Sequence, residues 1–147
     1  MITRILGIAA FIALPGWAMA TDATLPETIS AESGEVTLEQ FLWLKRPIVV
    51  FSDSPADPRF VEQMRYLAAD VSGLTIRDVV VLTDTDPGSK SALREKLRPR
   101  GFMLALVDKD GQVKLRKPAP WTVREITRSI DKWPTRQQEI REELGKE

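Results

Sequence analysis

The chain has no cysteine, no histidine and a single tyrosine. Without cysteine there is no disulfide, no thiolate nucleophile, no thiolate metal site and no lipid-bearing thiol. Without histidine there is no imidazole base or imidazole metal ligand, which removes Ser-His-Asp and Cys-His hydrolysis. Catalysis is left to carboxylates, Lys, Ser, Thr, Arg and the lone Tyr. An excess of either charge is also missing, with 21 basic and 21 acidic residues. Such a balance gives no bulk attraction to nucleic acid or to an anionic membrane, and no nucleic-acid partner is expected. No metal and no cofactor are expected either.

What is present suits one domain: 147 residues, 43% of them apolar. Arg4 precedes an apolar run from Ile5 to Leu14, then Pro15-Gly16 and the small-x-small triplet Ala18-Met19-Ala20. This is the build of a secretory signal, with cleavage expected after Ala20. The run would span about 15 Å as a helix, half the roughly 30 Å of a hydrocarbon core, so no stable membrane insertion is expected after cleavage. A periplasmic or secreted bacterial protein is the expectation. Residues 1–20 are read as signal, 21–36 as a flexible lead-in holding Pro26 and Gly34, 37–133 as the domain and 134–147 as a charged helical tail.

Thr37-Leu38-Glu39-Gln40 is a capping-box pattern predicting a short helix. Pro47-Ile48-Val49-Val50-Phe51 has the length and unbroken apolarity of a strand buried on both faces. A clear helix follows, with Asp57 as N-cap, Pro58 in first position and Phe60, Met64, Leu67, Ala68 and Val71 at helical spacing until Ser72-Gly73. Asp78 to Leu82 reads as a second buried strand, and Asp86-Pro87 opens a helix through Leu93 and Leu97. Phe102 to Val107 reads as a third strand. Asp108-Lys109-Asp110-Gly111 then turns the chain into Gln112 to Arg116, predicting a hairpin with Val113 and Leu115 on an apolar face and Lys114 and Arg116 on a basic one. Thr122-Val123-Arg124-Glu125 is a second capping box, opening a helix with Val123, Ile126, Ile130 and Trp133 on one stripe. Arg136, Glu139, Arg141, Glu142 and Glu143 read as a solvated helix with local ion pairs.

Strands joined through helices, with a hairpin at the end, predict an α/β fold with a parallel core and an antiparallel edge. The order resembles the thioredoxin fold: three layers, a mixed central sheet, a C-terminal antiparallel hairpin and flanking helices. Where thioredoxins place Cys-Gly-Pro-Cys after the first core strand, this chain has Ala56-Asp57-Pro58-Arg59. Where they have Arg-Gly-Ile-Pro-Thr and then Lys-Asn-Gly, it has Arg100-Gly101-Phe102-Met103-Leu104 and Lys109-Asp110-Gly111. The resemblance implies that both sulfurs are missing and that Met103 replaces the cis-proline. The segments Arg46 to Phe51, Arg77 to Val81, Lys109 to Arg116 and Ile130 to Pro134 more closely resemble the family called domain of unknown function 4174, or P-DUDES domain. That resemblance implies a thioredoxin-like fold in small exported bacterial and animal extracellular proteins. It supplies no assigned activity and no catalytic residue; a glycan-binding reading follows only by analogy with matrix-associated animal members.

Asp53, Asp57 and Arg59 fall at the carboxyl end of a core strand and the start of a helix, the usual ligand crevice of open α/β sheets. In one reading Arg59 and nearby N–H groups hold an anion; in the other Asp57 caps the helix and Arg59 is solvated. Lys109, Lys114 and Arg116, with Lys117, form a basic edge that binds an anionic small molecule, glycan or phosphate, or that blocks strand pairing between molecules. Asp108-x-Asp110-Gly111 resembles the start of a calcium loop, but a strand follows and the later ligands are missing. Trp43, Trp121, Trp133 and Tyr66 are expected as core or half-buried anchors. Three roles remain: a non-redox binding module for a small molecule, glycan or protein partner; a hydrolase with Asp53 or Asp57 as general base; and a structural protein held through its charged tail. No partner that would tune such a base is evident, which favours binding.

Overall fold

A computed structural model describes residues 26–33 and 35–146. The signal segment, its cleavage position and the first residues of the lead-in lie outside them. The strands are β1 (Thr28–Ser30), β2 (Arg46–Phe51), β3 (Val79–Asp84), β4 (Met103–Val107) and β5 (Val113–Lys117). They form one sheet in the order β1-β3-β2-β4-β5. β1 and β2 run parallel to β3, β4 runs antiparallel to β2, and β5 runs antiparallel to β4.

Two strands depart from expectation. Thr28–Ser30, read as flexible lead-in, pairs with β3 and leads into the buried Ala31. Three residues are too few to show a period, so this strand is silent in sequence. The antiparallel region also begins one strand early, at β4. The helix between β3 and β4, α3 (Ala92–Leu97), rises only about 9 Å, and the 85–102 connection brings β4 into the sheet at the end where β3 stops, so β4 runs back antiparallel to β2.

Each central strand alternates its side chains between two cores. Ile48, Val50, Val79, Val81, Leu104 and Leu106 pack on one face with Leu67, Leu74, Ile126 and Ile130. Val49, Phe51, Val80, Leu82, Ala105 and Val107 pack on the other with Ala31, Leu38, Leu93 and Leu97. The first face is covered by α1 (Pro58–Ala69), α2 (Val71–Thr75) and α4 (Val123–Ile130); α5 (Pro134–Leu144) closes the chain. Gln63 of α1 is buried and clamps Trp121, donating to its carbonyl at 2.9 Å and accepting from its amide at 2.9 Å.

Local chemistry explains the remaining corrections. The first capping box does not form; Leu38–Phe41 is one 3-10 turn, and Thr37 makes no cap hydrogen bond. The second does form, with Thr122 and Glu125 bonded reciprocally. The long second helix is split, because Asp70 accepts from the Gly73 amide and starts α2. The third is split by Lys90 in the left-handed region at φ 49°, after which Ser91 caps α3. Trp43 is no core anchor: it stands 68% exposed with φ 62°. Trp133 is buried as expected.

Candidate functional site

The carboxyl ends of β2 and β3 carry the sequence-predicted crevice. Asp57 caps α1, its Oδ1 accepting from the Arg59 amide at 2.9 Å, and Arg59 Nη2 lies 3.3 Å from Asp57 Oδ2. The Arg59 amide and then its guanidinium hold the Asp57 carboxyl below its ordinary range. Asp53 is exposed and makes no hydrogen bond or ion pair among the described residues. A Cβ built on Gly101 would lie 3.8 Å from Arg59 Nη2 and 4.0 Å from Asp53 Oδ2, so the two side chains flank this glycine. The Arg59 guanidinium also sits 5.6 Å from the centre of the Phe102 ring, within cation–π range. The fold therefore joins the Ala56–Arg59 and Arg100–Leu104 segments, as the thioredoxin resemblance implies. It gives Asp53 and Asp57 no positioned partner that would make either a general base.

The shielded carboxylate nearby is Asp84. It accepts from Arg94 Nε at 2.9 Å, from Ser91 Oγ and from the Asp86 amide at 3.1 Å. Arg94 also donates to the Ser52 carbonyl at 2.6 Å. This cluster ties the ends of β2 and β3 to α3 and engages both oxygens of Asp84. A larger hollow of about 610 Å³ lies elsewhere, between the Ala31 turn and the start of α3, and its lining includes Glu32, Glu35 and Glu95 with Lys90. No group of carboxylates among the described residues is arranged to hold a metal ion.

The predicted basic edge does not survive as one surface. A bulge at Leu106/Val107 breaks the β5 alternation, so Val113 joins one core and Leu115 the other. Lys109 lies at the far end of the sheet, 2.8 Å from Asp78 and 2.7 Å from Glu139. Burial would lower its ammonium, but hydrogen bonds to those carboxylates outweigh this and raise it. Among the described residues Lys114 reaches only the neutral Gln112, at 3.2 Å. Arg116 turns to the Leu97 carbonyl at 2.6 Å, closing the end of α3, while Lys117 lies 4.7 Å from the centre of the Trp121 ring.

A different basic site takes its place. Arg98, Arg100, Arg116 and Lys117 surround a hollow of about 280 Å³ floored by Phe102 and Met103 and edged by Pro118. None of these cations has a carboxylate within ion-pair distance among the described residues. Arg98 ends α3 in the left-handed conformation at φ 49°, the position where glycine is usual. Met103 occupies the cis-proline position of the resemblance, and the described residues contain no cis peptide. Arg98 and Arg100 were not candidates in the sequence, though Arg98-Pro99-Arg100-Gly101 is a visible charged punctuation between helix and strand.

At the opposite end of the sheet the charged residues interlock. Arg46 is 1% exposed and directs its guanidinium to Asp108 (3.1 Å), Thr135 (3.0 Å), the Arg77 carbonyl (3.0 Å) and both oxygens of Glu139 (3.0 and 3.1 Å). Thr135 also donates to Asp108 at 2.8 Å, and Arg136 Nη1 reaches Glu139 at 3.2 Å. Arg77 holds Asp131 in a two-point contact at 2.8 Å each. Burial acts to raise the Glu139 carboxyl, but hydrogen bonds from Arg46 and Lys109 prevail and hold it at about 2. The tail helix is therefore docked: Arg136 is buried and Glu139 is part of the interlock, not a solvated face. Asp108 points inward to Arg46 while Asp110 accepts from the Gln112 amide at 2.9 Å, so the two acids of the calcium-like turn diverge.

Solved structures of similar fold include thioredoxins and a peroxiredoxin. Chloroplastic thioredoxin z aligns with a TM-score of 0.54 at 22% identity, over 73% of this chain and 92% of its own. The exposed lipoprotein thioredoxin of Streptococcus pneumoniae gives 0.51 at 16% identity, over 70% and 95%. The 2-Cys peroxiredoxin of Plasmodium vivax gives 0.52 at 16% identity, over 65% and 81%. No curated protein matches the chain. The family described as "Domain of unknown function (DUF4174)" matches residues 37–139. The chain is a thioredoxin-like member of the DUF4174 family that contains no cysteine.

Proposed function

We propose that this protein is an exported, redox-inactive binding module whose ligand is an anion seated in the hollow between α3 and β5. The observation that carries the reading is that Arg98, Arg100, Arg116 and Lys117 all border one hollow, with no carboxylate within ion-pair distance of any of them among the described residues. Like charges gathered without compensation repel one another, so the arrangement is relieved by a bound anion. The apolar floor of Phe102 and Met103 lowers the local dielectric and strengthens that attraction. Without cysteine the chain exchanges no disulfides through its own side chains, and this reading gives the old redox end a binding use instead. Export is supported by Arg4, the Ile5–Leu14 run and Ala18-Met19-Ala20.

Titration of the protein with inorganic pyrophosphate, followed by calorimetry and by arginine side-chain NMR signals, tests the hollow. Saturable binding that weakens with salt is expected, falling at least about tenfold in the Arg98→Glu/Arg100→Glu protein. Affinity unchanged by that double substitution would refute the site. N-terminal sequencing of the protein from fractionated cells tests export; a cytoplasmic chain that retains Met1 would refute it.

A further inference from the structure

β5 is the outer strand of the sheet, with β4 as its ladder neighbour. Among the described residues no backbone hydrogen bond outside that ladder involves Val113–Lys117. An outer strand leaves alternate N–H and C=O groups facing away from the sheet, where an extended peptide can pair with them. The bulge lies near the turn; beyond it Leu115, Arg116 and Lys117 pair regularly with Leu106, Ala105 and Leu104. That regular stretch is the part that borders the basic hollow.

Charge decides what adds there. A second copy pairing through β5 would bring Lys114, Arg116 and Lys117 against like charges, which opposes self-association. The same row attracts a strand of opposite sign. Arg116 turns toward α3 and Lys117 toward Trp121, on opposite faces of the sheet, so consecutive acidic residues meet both cations where an alternating pattern would meet one. We propose that an extended peptide with consecutive acidic residues adds to β5 as a further strand and sets its carboxylates against Arg98, Arg100, Arg116 and Lys117. This deepens the anion-binding reading and rests on it.

The test uses the full mature chain, isotope-labelled, with a capped synthetic peptide Thr-Val-Glu-Glu-Val-Thr. Its control is the same peptide N-methylated through its central residues, which keeps the charge and removes the pairing amides. The parent peptide is expected to slow amide exchange in β5, and N-methylation is expected to cost about tenfold or more in affinity. Equal affinity of the two peptides overturns strand addition while the pyrophosphate titration still stands. Binding of pyrophosphate or anionic vesicles with no binding of either peptide does the same. Loss of pyrophosphate binding as well overturns both readings together.

Discussion

Two groups of cations stand at opposite ends of one sheet. At the amino end of β2, Arg46, Arg77, Lys109 and Arg136 are matched by Asp78, Asp108, Asp131 and Glu139. Near the carboxyl end, Arg98, Arg100, Arg116 and Lys117 border one hollow, and none has a carboxylate within ion-pair distance among the described residues. The first group is buried or half-buried and the second mostly exposed. Burial explains the difference, since a charge removed from water must be paired, whereas a solvated one need not be. Matched cations belong to the fold; the cations without a carboxylate partner are the ones the anion-binding proposal uses.

The sharpest way to break this comparison is to remove one acid from the interlock. Asp108→Ala leaves Arg46, 1% exposed, without its Nε partner. Stability is expected to fall by about 3–5 kcal/mol in urea unfolding. Replacing both partners, Arg46→Met with Asp108→Leu, is expected to cost less than the sum of the single changes. Arg100→Ala, which strips an exposed and unmatched cation, is expected to stay within about 0.5 kcal/mol of the parent. Similar costs for Asp108→Ala and Arg100→Ala would erase the distinction.

A smaller effect comes with acid. Glu139 is held at about 2 in the folded protein against 4.5 for the free side chain. A depressed carboxylate stabilises fully above its unfolded value, and the contribution is lost as pH falls from 4.5 through 2. The shift corresponds to about 3 kcal/mol. Lys109 has the opposite sign: its raised ammonium stabilises below 10.5 and loses its contribution only at higher pH. Unfolding free energy is therefore expected to drop steeply between pH 4.5 and 2. Glu139→Gln is expected to be less stable at neutral pH and to lose most of that acid slope. An unchanged slope would place the acid sensitivity outside the interlock.

The same physics decides what could be read from sequence. Apolar alternation and capping residues are local, so β2, β3, β4, α1 and the Thr122–Glu125 box were legible. β1 was not, because its place depends on a parallel pairing with β3. The one-residue slip in β5 was equally invisible, and it undid the basic face expected of Lys114 and Arg116. Lys109 and Glu139 looked like surface charges because their partners are distant in sequence, Asp78 and Arg46. Asp57 as cap was legible, being a matter of adjacent residues. The Arg98–Arg100 hollow needed the hairpin laid beside the end of α3, which no local pattern reports.

The smallest effect tests whether the hollow is kept at a cost to the fold. Arg98 takes the left-handed conformation at φ 49°, where a side chain crowds the backbone and glycine does not. Glycine also loses more freedom on folding, and Arg98 is a cation at the carboxyl end of α3, a favourable place that glycine gives up. Strain outweighs these terms modestly, so Arg98→Gly is expected to gain about 0.5–1 kcal/mol. The same change removes a cation from the hollow and is expected to weaken pyrophosphate binding several-fold. Stability that rises while affinity falls would mark Arg98 as a residue held for its ligand. A variant gaining stability with undiminished affinity would leave the hollow to Arg100, Arg116 and Lys117 and make Arg98 a tolerated imperfection of the helix end.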